Sequence, residues 1–238
     1  NTKSAAKRAR QTERRTASNK RVSTAVKTQL RLIREAGRNG ARVIGLPEGF
    51  IPAHPVWYHH HAASGRIANN LAVELFKNSV EIPGPEIDAL GDAARAANAY
   101  VVIGVCEKIP NTLGTMFNTQ VYIGPDGHLI RKHQKIMPTV GERLVHTGGH
   151  GDTFGAFQSE FGPMSGLICG ENSNPLAVFA LIAEGTRIHV MSWHPGDSGI
   201  PVIDKFRTEE MLFECDLLDH VVLPSPQRHC ALQHHFCF

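Results

Sequence analysis

Three side chains that lie far apart in the sequence could together perform nucleophilic catalysis: Cys169, Glu48 and Lys135. A thiolate is a strong nucleophile, a carboxylate can move protons, and a buried ammonium stabilises negative charge that develops during a reaction. Cys169 ends an apolar run that begins at Met164, and Gly170 follows it. Backbone N–H groups at such a junction, together with a nearby cation, are expected to lower the thiol pKa from its usual value of about 8.5.

Each of these residues also has an ordinary structural explanation. A cysteine at the end of an apolar strand is more often a small buried hydrophobic residue. A glutamate after a proline usually lies on the surface, and a lysine in a basic run is usually solvated. Residue type and spacing alone therefore indicate an α/β enzyme and leave a thiol hydrolase as one of several interpretations.

An alternation of helices and strands would bring the three residues to one edge of a sheet. Apolar residues recur at helical spacing over 22–37, and Gly40 suits the left-handed end of that helix. The buried run 41–46 follows as a strand that Pro47 ends. Glu48 then lies at the carboxyl end of a strand, which is where sites form in open α/β sheets.

The same pattern repeats downstream. Pro85 and Glu86 open a second helix with Ile87 and Leu90 on its apolar face, and a Pro-Asp-Gly turn at 125–127 predicts a hairpin. Further strands are predicted over 100–106, 118–123, 128–132, 164–169 and 188–193, and a further helix over 175–184. Helices alternating with strands and antiparallel hairpins indicate a layered α/β sandwich.

Composition sets the class of protein and its surroundings. The chain has 238 residues, 42% hydrophobic and 20% charged, which predicts one globular domain over 22–238. There is no apolar run long enough for a membrane span and no secretory signal, and five cysteines without regular spacing favour a reducing compartment. We therefore expect a cytoplasmic protein.

The first residues form a basic segment over 1–21, which we expect to be flexible and separate from the domain. Residues 1–25 carry eight Lys/Arg and one acidic residue, a net charge of +7 in a chain whose total is +3. Such a segment resembles a transit peptide or a nucleic-acid arm, and is also typical of a solvated tail. Because the remaining chain is net acidic, we expect no nucleic-acid partner.

Three longer motifs surround the candidate residues. They are LPEGFIPAHP at 46–55 around Glu48, RKHQKIMPT at 131–139 around Lys135 with Glu142-Arg143 after it, and ICGENSNPL at 168–176 around Cys169. In order and spacing they resemble the nitrilase family, a branch of the carbon–nitrogen hydrolases. The resemblance covers roughly 22–195, and 196–238 diverges.

The resemblance implies the fold, the chemistry and the catalytic residues. The fold would be the four-layer α-β-β-α sandwich of that superfamily, truncated at both ends. Cys169 would attack a nitrile carbon to form a thioimidate and then a thioester, Glu48 would move the protons, and Lys135 would stabilise negative charge. Glu142 resembles a second family glutamate that holds the lysine, although a helix-start acid paired with Arg143 explains it equally well. The products would be a carboxylic acid and ammonia.

The nucleophile motif favours a nitrile as substrate. Cys-Gly-Glu-Asn followed by Asn-Pro-Leu resembles true nitrilases, whereas amidase branches usually place an aromatic residue after the cysteine. An amidase of the same superfamily remains an alternative, as does a catalytically impaired remnant whose basic arm binds nucleic acid.

The rest of the site and its partners follow from the same resemblance. Trp57, His146 and Trp193 lie near the motifs and could line an apolar substrate pocket, although either tryptophan could equally be structural core. No metal or organic cofactor is needed, and water is the second substrate. The family forms homodimers and larger homo-oligomers, so we expect self-association and no membrane partner.

Overall fold

The computed structural model describes residues 26–194, in which helices alternate with strands as the sequence predicts. The helices in this range are α1 (Lys27–Arg38), α2 (Arg66–Asn78), α3 (Pro85–Ala97) and α4 (Pro175–Ala183). The strands are β1 (Val43–Gly45), β2 (Tyr100–Lys108), β3 (Met116–Ile123), β4 (Leu129–Gln134), β5 (Phe157–Ser159), β6 (Gly162–Ile168) and β7 (Ile188–Ser192). Short 3-10 turns include Val56–His59, Val140–Leu144 and Cys169–Ser173.

Four strands form the first sheet in the order β1-β2-β3-β4. β1 runs parallel to β2, and β2, β3 and β4 form antiparallel pairs. Because successive side chains point to opposite faces, Val101, Ile103 and Val105 of β2 join the core formed with α1 and α3. The other face of β2 and β3 presents Gly104, Asn118 and their neighbours toward the candidate site.

The helices on the first sheet pack closely against each other. Ile33 and Ala36 of α1 and Leu90 and Ala94 of α3 are buried in the same core. A side chain at Gly37 would meet Ala97 Cβ at 2.5 Å, so glycine at this position lets the two helices approach. The apolar spacing read from the sequence therefore corresponds to the faces buried against the sheet.

Three strands form the second sheet in the order β5-β6-β7, with β6 and β7 parallel. A second apolar cluster joins the two sheets face to face; it contains Val43, Tyr100, Val102, Tyr122, Met164, Ile188 and Val190. α4 connects the parallel strands β6 and β7 and packs against the 3-10 turn Cys169–Ser173, with Leu181 buried. Because such crossover helices lie on one face of their sheet, and the other face of the second sheet meets the first sheet, we infer that α4 lies on the outer face. The order helix, sheet, sheet, helix is the α-β-β-α sandwich expected from the sequence.

The predicted elements are found, with boundaries shifted by a few residues. The largest omissions are α2 and β5, neither of which was predicted. Ile67, Leu71 and Val73 of α2 are at least one-third exposed, so its apolar residues do not form a single buried stripe. β5 spans only three residues, too few for a recognisable alternation. The basic segment 1–21 and the divergent part 196–238 lie outside the described residues.

None of the helices within 26–194 is long and apolar enough to cross a lipid bilayer.

Candidate active site

Glu48 lies just beyond β1, and hydrogen bonds along the main chain fix its position. Leu46 N donates to Val102 O at 2.8 Å, Phe50 N donates to Gly104 O at 2.8 Å, and the Glu48 N–H donates to Trp193 O at 3.1 Å. Glu48 itself is completely buried. These bonds tie the segment to both sheets, so its carboxylate is held between the sheets at the ends of their strands.

Lys135 follows β4 and donates to two carboxylates. Its Nζ lies 2.8 Å from Glu48 Oε1 and 2.7 Å from Glu142 Oε2, and all three side chains are essentially inaccessible to water. Asn118 Nδ2 donates to the same two groups, at 2.6 Å to Glu48 Oε1 and 2.5 Å to Glu142 Oε1. The structure thus brings together two carboxylates, an ammonium and an amide from three segments of the chain, which contain Glu48, Asn118, and Lys135 with Glu142.

The contacts of Glu142 decide between the two interpretations given above, which were contact with Lys135 and an ion pair with Arg143. Its Oε2 accepts from Lys135 and also from Thr139 N at 2.9 Å. The bond to Thr139 N caps the 3-10 turn Val140–Leu144. Arg143 Nε instead donates to Pro138 O at 2.9 Å. Glu142 therefore contacts the lysine, as the family resemblance implies, and forms no ion pair with Arg143.

Charges in this cluster shift one another's pKa values. Burial by itself would lower the pKa of the Lys135 ammonium, but the Glu48 and Glu142 carboxylates outweigh burial and raise it above its ordinary value. Burial would raise the pKa of Glu142, but hydrogen bonds from His146, Lys135 and Asn118 and the lysine charge lower it well below its usual range. Lys135 therefore stays charged and Glu142 stays ionised at neutral pH.

Cys169 lies within electrostatic range of this cluster, and its backbone adopts an unusual conformation. Its φ is +50°, in the left-handed region that side chains other than glycine rarely adopt. It begins the 3-10 turn Cys169–Ser173 directly after β6. Such strained positions are often found at active sites, where surrounding contacts hold them.

The expectation that the thiol pKa of Cys169 is lowered was wrong. Burial removes water that would solvate a thiolate, and the Glu48 charge also disfavours it, so the pKa rises to about 12. Lys135 and the Gly170 N–H favour the thiolate but do not outweigh these effects. Cys169 is therefore a neutral thiol at neutral pH, and it could act as a nucleophile only if a base accepted its proton.

The three residues predicted to bind substrate have different surroundings. His146 is buried with its Nδ1 3.2 Å from Glu142 Oε1. Trp193 is linked to Glu48 through its main-chain oxygen, and Trp57 packs against the apolar cluster around Cys106 and Leu75. His146 and Trp193 therefore lie next to the candidate catalytic groups, whereas Trp57 belongs to an apolar cluster beside them.

Besides Asn118, sequence reasoning missed His54 and Tyr58, which lie near Glu48. His54 Nδ1 lies 4.0 Å from Glu48 Oε1, its Nε2 is 3.1 Å from the Tyr58 hydroxyl, and its ring stacks on His194. Burial, aided by the His194 charge, lowers the pKa of His54 to about 3, so its ring is neutral. His54 lies within the first motif and Tyr58 lies three residues after it. In the sequence, only this closeness to Glu48 could have indicated them.

Several buried polar atoms of the site have no hydrogen-bond partner among the described residues. They are Glu48 Oε2, His54 Nδ1, Asn118 Oδ1 and His146 Nε2. Buried polar atoms are normally paired, so unpaired atoms around one cluster are typical of a site that binds a polar group. A nucleophilic sulfur, a carboxylate base and an ammonium in this environment can carry out acyl transfer.

Comparisons with known proteins identify the family that this chain resembles. The family model described as carbon-nitrogen hydrolase matches residues 8–206. A nitrilase of Bacillus sp. (strain OxB-1) is 37% identical over 166 residues, which are 70% of this chain and 47% of that protein. The chain thus spans about half the length of the curated relatives it matches.

Solved structures with little sequence identity share the fold. A carbon-nitrogen hydrolase from Helicobacter pylori G27 superimposes with a TM-score of 0.58 at 16% identity, covering 74% of this chain and 56% of that one. An amidase from Nesterenkonia sp. AN1, solved as a double mutant in complex with acrylamide, gives 0.53 at 16% identity, covering 77% and 66%. At these identities the likeness concerns the fold alone.

Proposed function

This chain belongs to the carbon-nitrogen hydrolase family, and from that premise we propose that it hydrolyses a nitrile to a carboxylic acid and ammonia. The observation that carries the proposal is the buried ion cluster in which Lys135 Nζ contacts both Glu48 and Glu142 within electrostatic range of Cys169. These groups supply a base, a cation and a nucleophile, which together are what attack on a carbon–nitrogen multiple bond requires.

The first half of the proposed reaction forms a covalent intermediate. Because the thiol pKa of Cys169 is raised, Glu48 accepts the thiol proton while sulfur attacks the nitrile carbon. The carbon–nitrogen triple bond becomes a double bond, and the nitrogen takes up the proton, giving a thioimidate. Attack and proton transfer occur together because a free thiolate is scarce at neutral pH.

The second half releases both products. Glu48 takes a proton from a water molecule as its oxygen attacks the thioimidate carbon, and the nitrogen leaves as ammonia once it is protonated. A second water then attacks the resulting thioester with the same base, and sulfur regains its proton as the carboxylic acid departs. The Lys135 ammonium stabilises the negative charge of the tetrahedral states, and Glu142 holds that ammonium in place.

Nitrile rather than amide is proposed from the nucleophile motif. The Cys-Gly-Glu-Asn run at 169–172 and the Asn-Pro-Leu run at 174–176 are features of the true nitrilase branch, and the Bacillus relative bears the name nitrilase. We place His146 and Trp193 in the substrate pocket because they adjoin Glu142 and Glu48, and Trp57 at its apolar side.

We also propose that the protein forms a homodimer or a larger homo-oligomer. The support is α4, in which Leu176 is 78% exposed and Phe179 is 68% exposed within the described part of the chain. Apolar patches of this kind on one helix face typically mark protein contacts.

Ammonia release from matched substrates tests the proposed reaction. The full chain is incubated with simple aliphatic and aromatic nitriles and with the corresponding amides, and Cys169→Ala and Cys169→Ser serve as controls. We expect ammonia from nitriles, none from either variant, and an acyl adduct on the Cys169 peptide by mass spectrometry after a short nitrile pulse. Ammonia from amides alone would assign the amidase alternative. Turnover by Cys169→Ala would show that the nucleophile is wrong.

A further inference from the structure

The carboxylate of Glu171 connects the segment that carries Lys135 to the turn that carries Cys169. Its Oε1 accepts from Ile136 N at 2.7 Å, and its Oε2 accepts from Ile168 N at 3.0 Å. Ile136 directly follows the lysine, and Ile168 directly precedes the cysteine. One buried side chain therefore holds the main chain beside two of the proposed catalytic residues, which are 34 positions apart in the sequence.

A third donor fixes the orientation of this carboxylate. His133 Nε2 lies 2.9 Å from Glu171 Oε2, and both side chains are almost fully buried. His133 is on β4, two residues before Lys135, so all three contacts of Glu171 lie on the elements that present the cation and the nucleophile. Hydrogen bonds to an ionised carboxylate are roughly twice as strong as neutral ones.

The turn that Glu171 holds is the strained one. Cys169 has φ +50°. On the N-terminal side of Cys169, the Glu171 carboxylate accepts a hydrogen bond from the Ile168 N–H. On the other side, Asn172 Nδ2 donates to Cys169 O at 2.9 Å. Without such contacts a left-handed residue other than glycine relaxes toward ordinary backbone angles, since its Cβ makes that conformation unfavourable.

We propose that Glu171 is a positioning residue that sets the placement of the Cys169 sulfur relative to the Lys135 ammonium by bridging the Ile136 and Ile168 amides. The proposal rests on the proposed function, because it assigns a role within that same site. Glu171 touches neither substrate nor the reacting atoms and acts through the main chain.

A second buried carboxylate, Glu107, serves as a control that separates a positioning role of Glu171 from a contribution to stability alone. Glu107 on β2 is 1% exposed and accepts from Thr119, Lys132 and Gln134 on the opposite face of the first sheet. It resembles Glu171 in burial and in its number of donors. It differs in that none of its contacts holds the main chain beside Cys169.

The test compares Glu171→Asp with Glu107→Asp in the full chain. Aspartate keeps the charge but is one methylene shorter, so it cannot reach both Ile136 and Ile168, and a purely electrostatic role would be preserved. We expect Glu171→Asp to lower kcat by about 100-fold with little change in KM, since misplacement by about 1 Å has that effect. Glu107→Asp should leave kcat unchanged and should lower only the melting temperature.

Alkylation of Cys169 provides a readout that needs no substrate turnover. The rate with iodoacetamide at fixed pH, followed by mass spectrometry of the Cys169 peptide, should fall about tenfold in Glu171→Asp and stay unchanged in Glu107→Asp. In a Lys135→Met background the same Glu171→Asp change should have much less effect, because two residues that act through one geometry are not additive.

The outcomes distinguish this proposal from the proposed function. If the native chain releases no ammonia from nitriles or amides, the proposed function fails, and the alkylation rates still test the role of Glu171. Equal kcat and equal alkylation rates for native and Glu171→Asp protein would overturn the proposal, as would full additivity with Lys135→Met. If Glu171→Asp does not fold, His133→Ala removes one of the three donors, and an unchanged alkylation rate in that variant overturns it as well.

Discussion

His54 is a buried imidazole beside a candidate catalytic base, and its neutral state contributes to stability in a defined pH range. Burial lowers its pKa to about 3 in the folded protein, whereas an unfolded histidine titrates near about 6.5. Between these values the unfolded chain binds a proton that the folded site does not bind. The stabilisation that the neutral His54 gives the folded protein is fully present above about pH 6.5, and it is lost as the pH falls toward the pKa of His54 in the folded protein.

Replacing His54 with phenylalanine should therefore reduce the acid sensitivity of the fold. Between about pH 6.5 and pH 5 the native protein should lose about 2 kcal/mol of unfolding free energy through this residue, and His54→Phe should lose that much less. Urea denaturation at both pH values measures the difference. His189, whose pKa burial lowers to about 4, keeps part of the dependence in both proteins. His128→Phe, at an exposed turn, is the control, and an identical slope in all three proteins would contradict the prediction.

The identity of the candidate residues could be read from the sequence, but their ionisation could not. The motif around Cys169 indicates a nucleophile, yet its pKa depends on burial and on the charge of Glu48, which is 121 positions away in the chain. The role of Asn118 could not be predicted either, because nothing in the sequence around it indicates that its amide nitrogen donates to both Glu48 and Glu142. Such contacts arise only when the sheets pack.

Among the elements, β2 has a direct part in placing Glu48. A side chain at Gly104 would meet Glu48 Cα at 2.5 Å, Pro47 O at 2.6 Å and Gly49 N at 2.7 Å. All three are main-chain atoms, which cannot rotate away as the end of a side chain can. The segment of Glu48 can therefore lie across β2 only because the strand has no side chain at that point.

Gly104→Ala should consequently move Glu48 and impair the site. We expect a stability loss of about 1–3 kcal/mol from overpacking, and a fall in ammonia release of about 100-fold because the base is displaced. Thermal unfolding and the nitrile assay measure the two effects. Gly114→Ala is the matched control, since a side chain there meets nothing within 4 Å. Full activity of Gly104→Ala would mean that the segment can shift without cost.

Elements with strong periodicity were predictable, and those that depend on context were not. α3 begins at Pro85 with acidic residues in its first turn, ends at a left-handed Asn98 and buries one apolar face, and the sequence indicated its start and that face. In α2, Ile67, Leu71 and Val73 are exposed although Ala68 and Leu75 are buried, so apolar residue type alone does not mark the face that packs. Glu48 was placed correctly at a strand end because β1, although short, is followed by a proline.

At the scale of the whole molecule, α4 leaves an apolar face exposed in the described part of the chain. Leu176, Phe179 and Ile182 are spaced three residues apart and are 78%, 68% and 39% exposed. This spacing places them on one side of the helix, where they would bury a continuous strip against a second copy. A single exposed residue such as Leu113 needs no such explanation.

Phe179→Glu should weaken self-association. A charge buried at an apolar contact is costly, so we expect light scattering to give a smaller mass for this variant than for the native chain at the same concentration. Leu113→Glu introduces the same charge at a fully exposed loop position and should leave the mass unchanged. A native mass equal to that of one chain, unaffected by either variant, would refute homo-oligomer formation through α4.

The cluster around Lys135 contains two acidic side chains and one basic side chain, and this imbalance affects what can remain bound. In the proposed reaction a nitrile is neutral when it enters, whereas the carboxylic acid product ionises to an anion near neutral pH. That anion then lies beside Glu48 and Glu142, whose combined field opposes it more than the single lysine attracts it. In the proposed reaction, the two carboxylates would therefore favour egress of the finished acid.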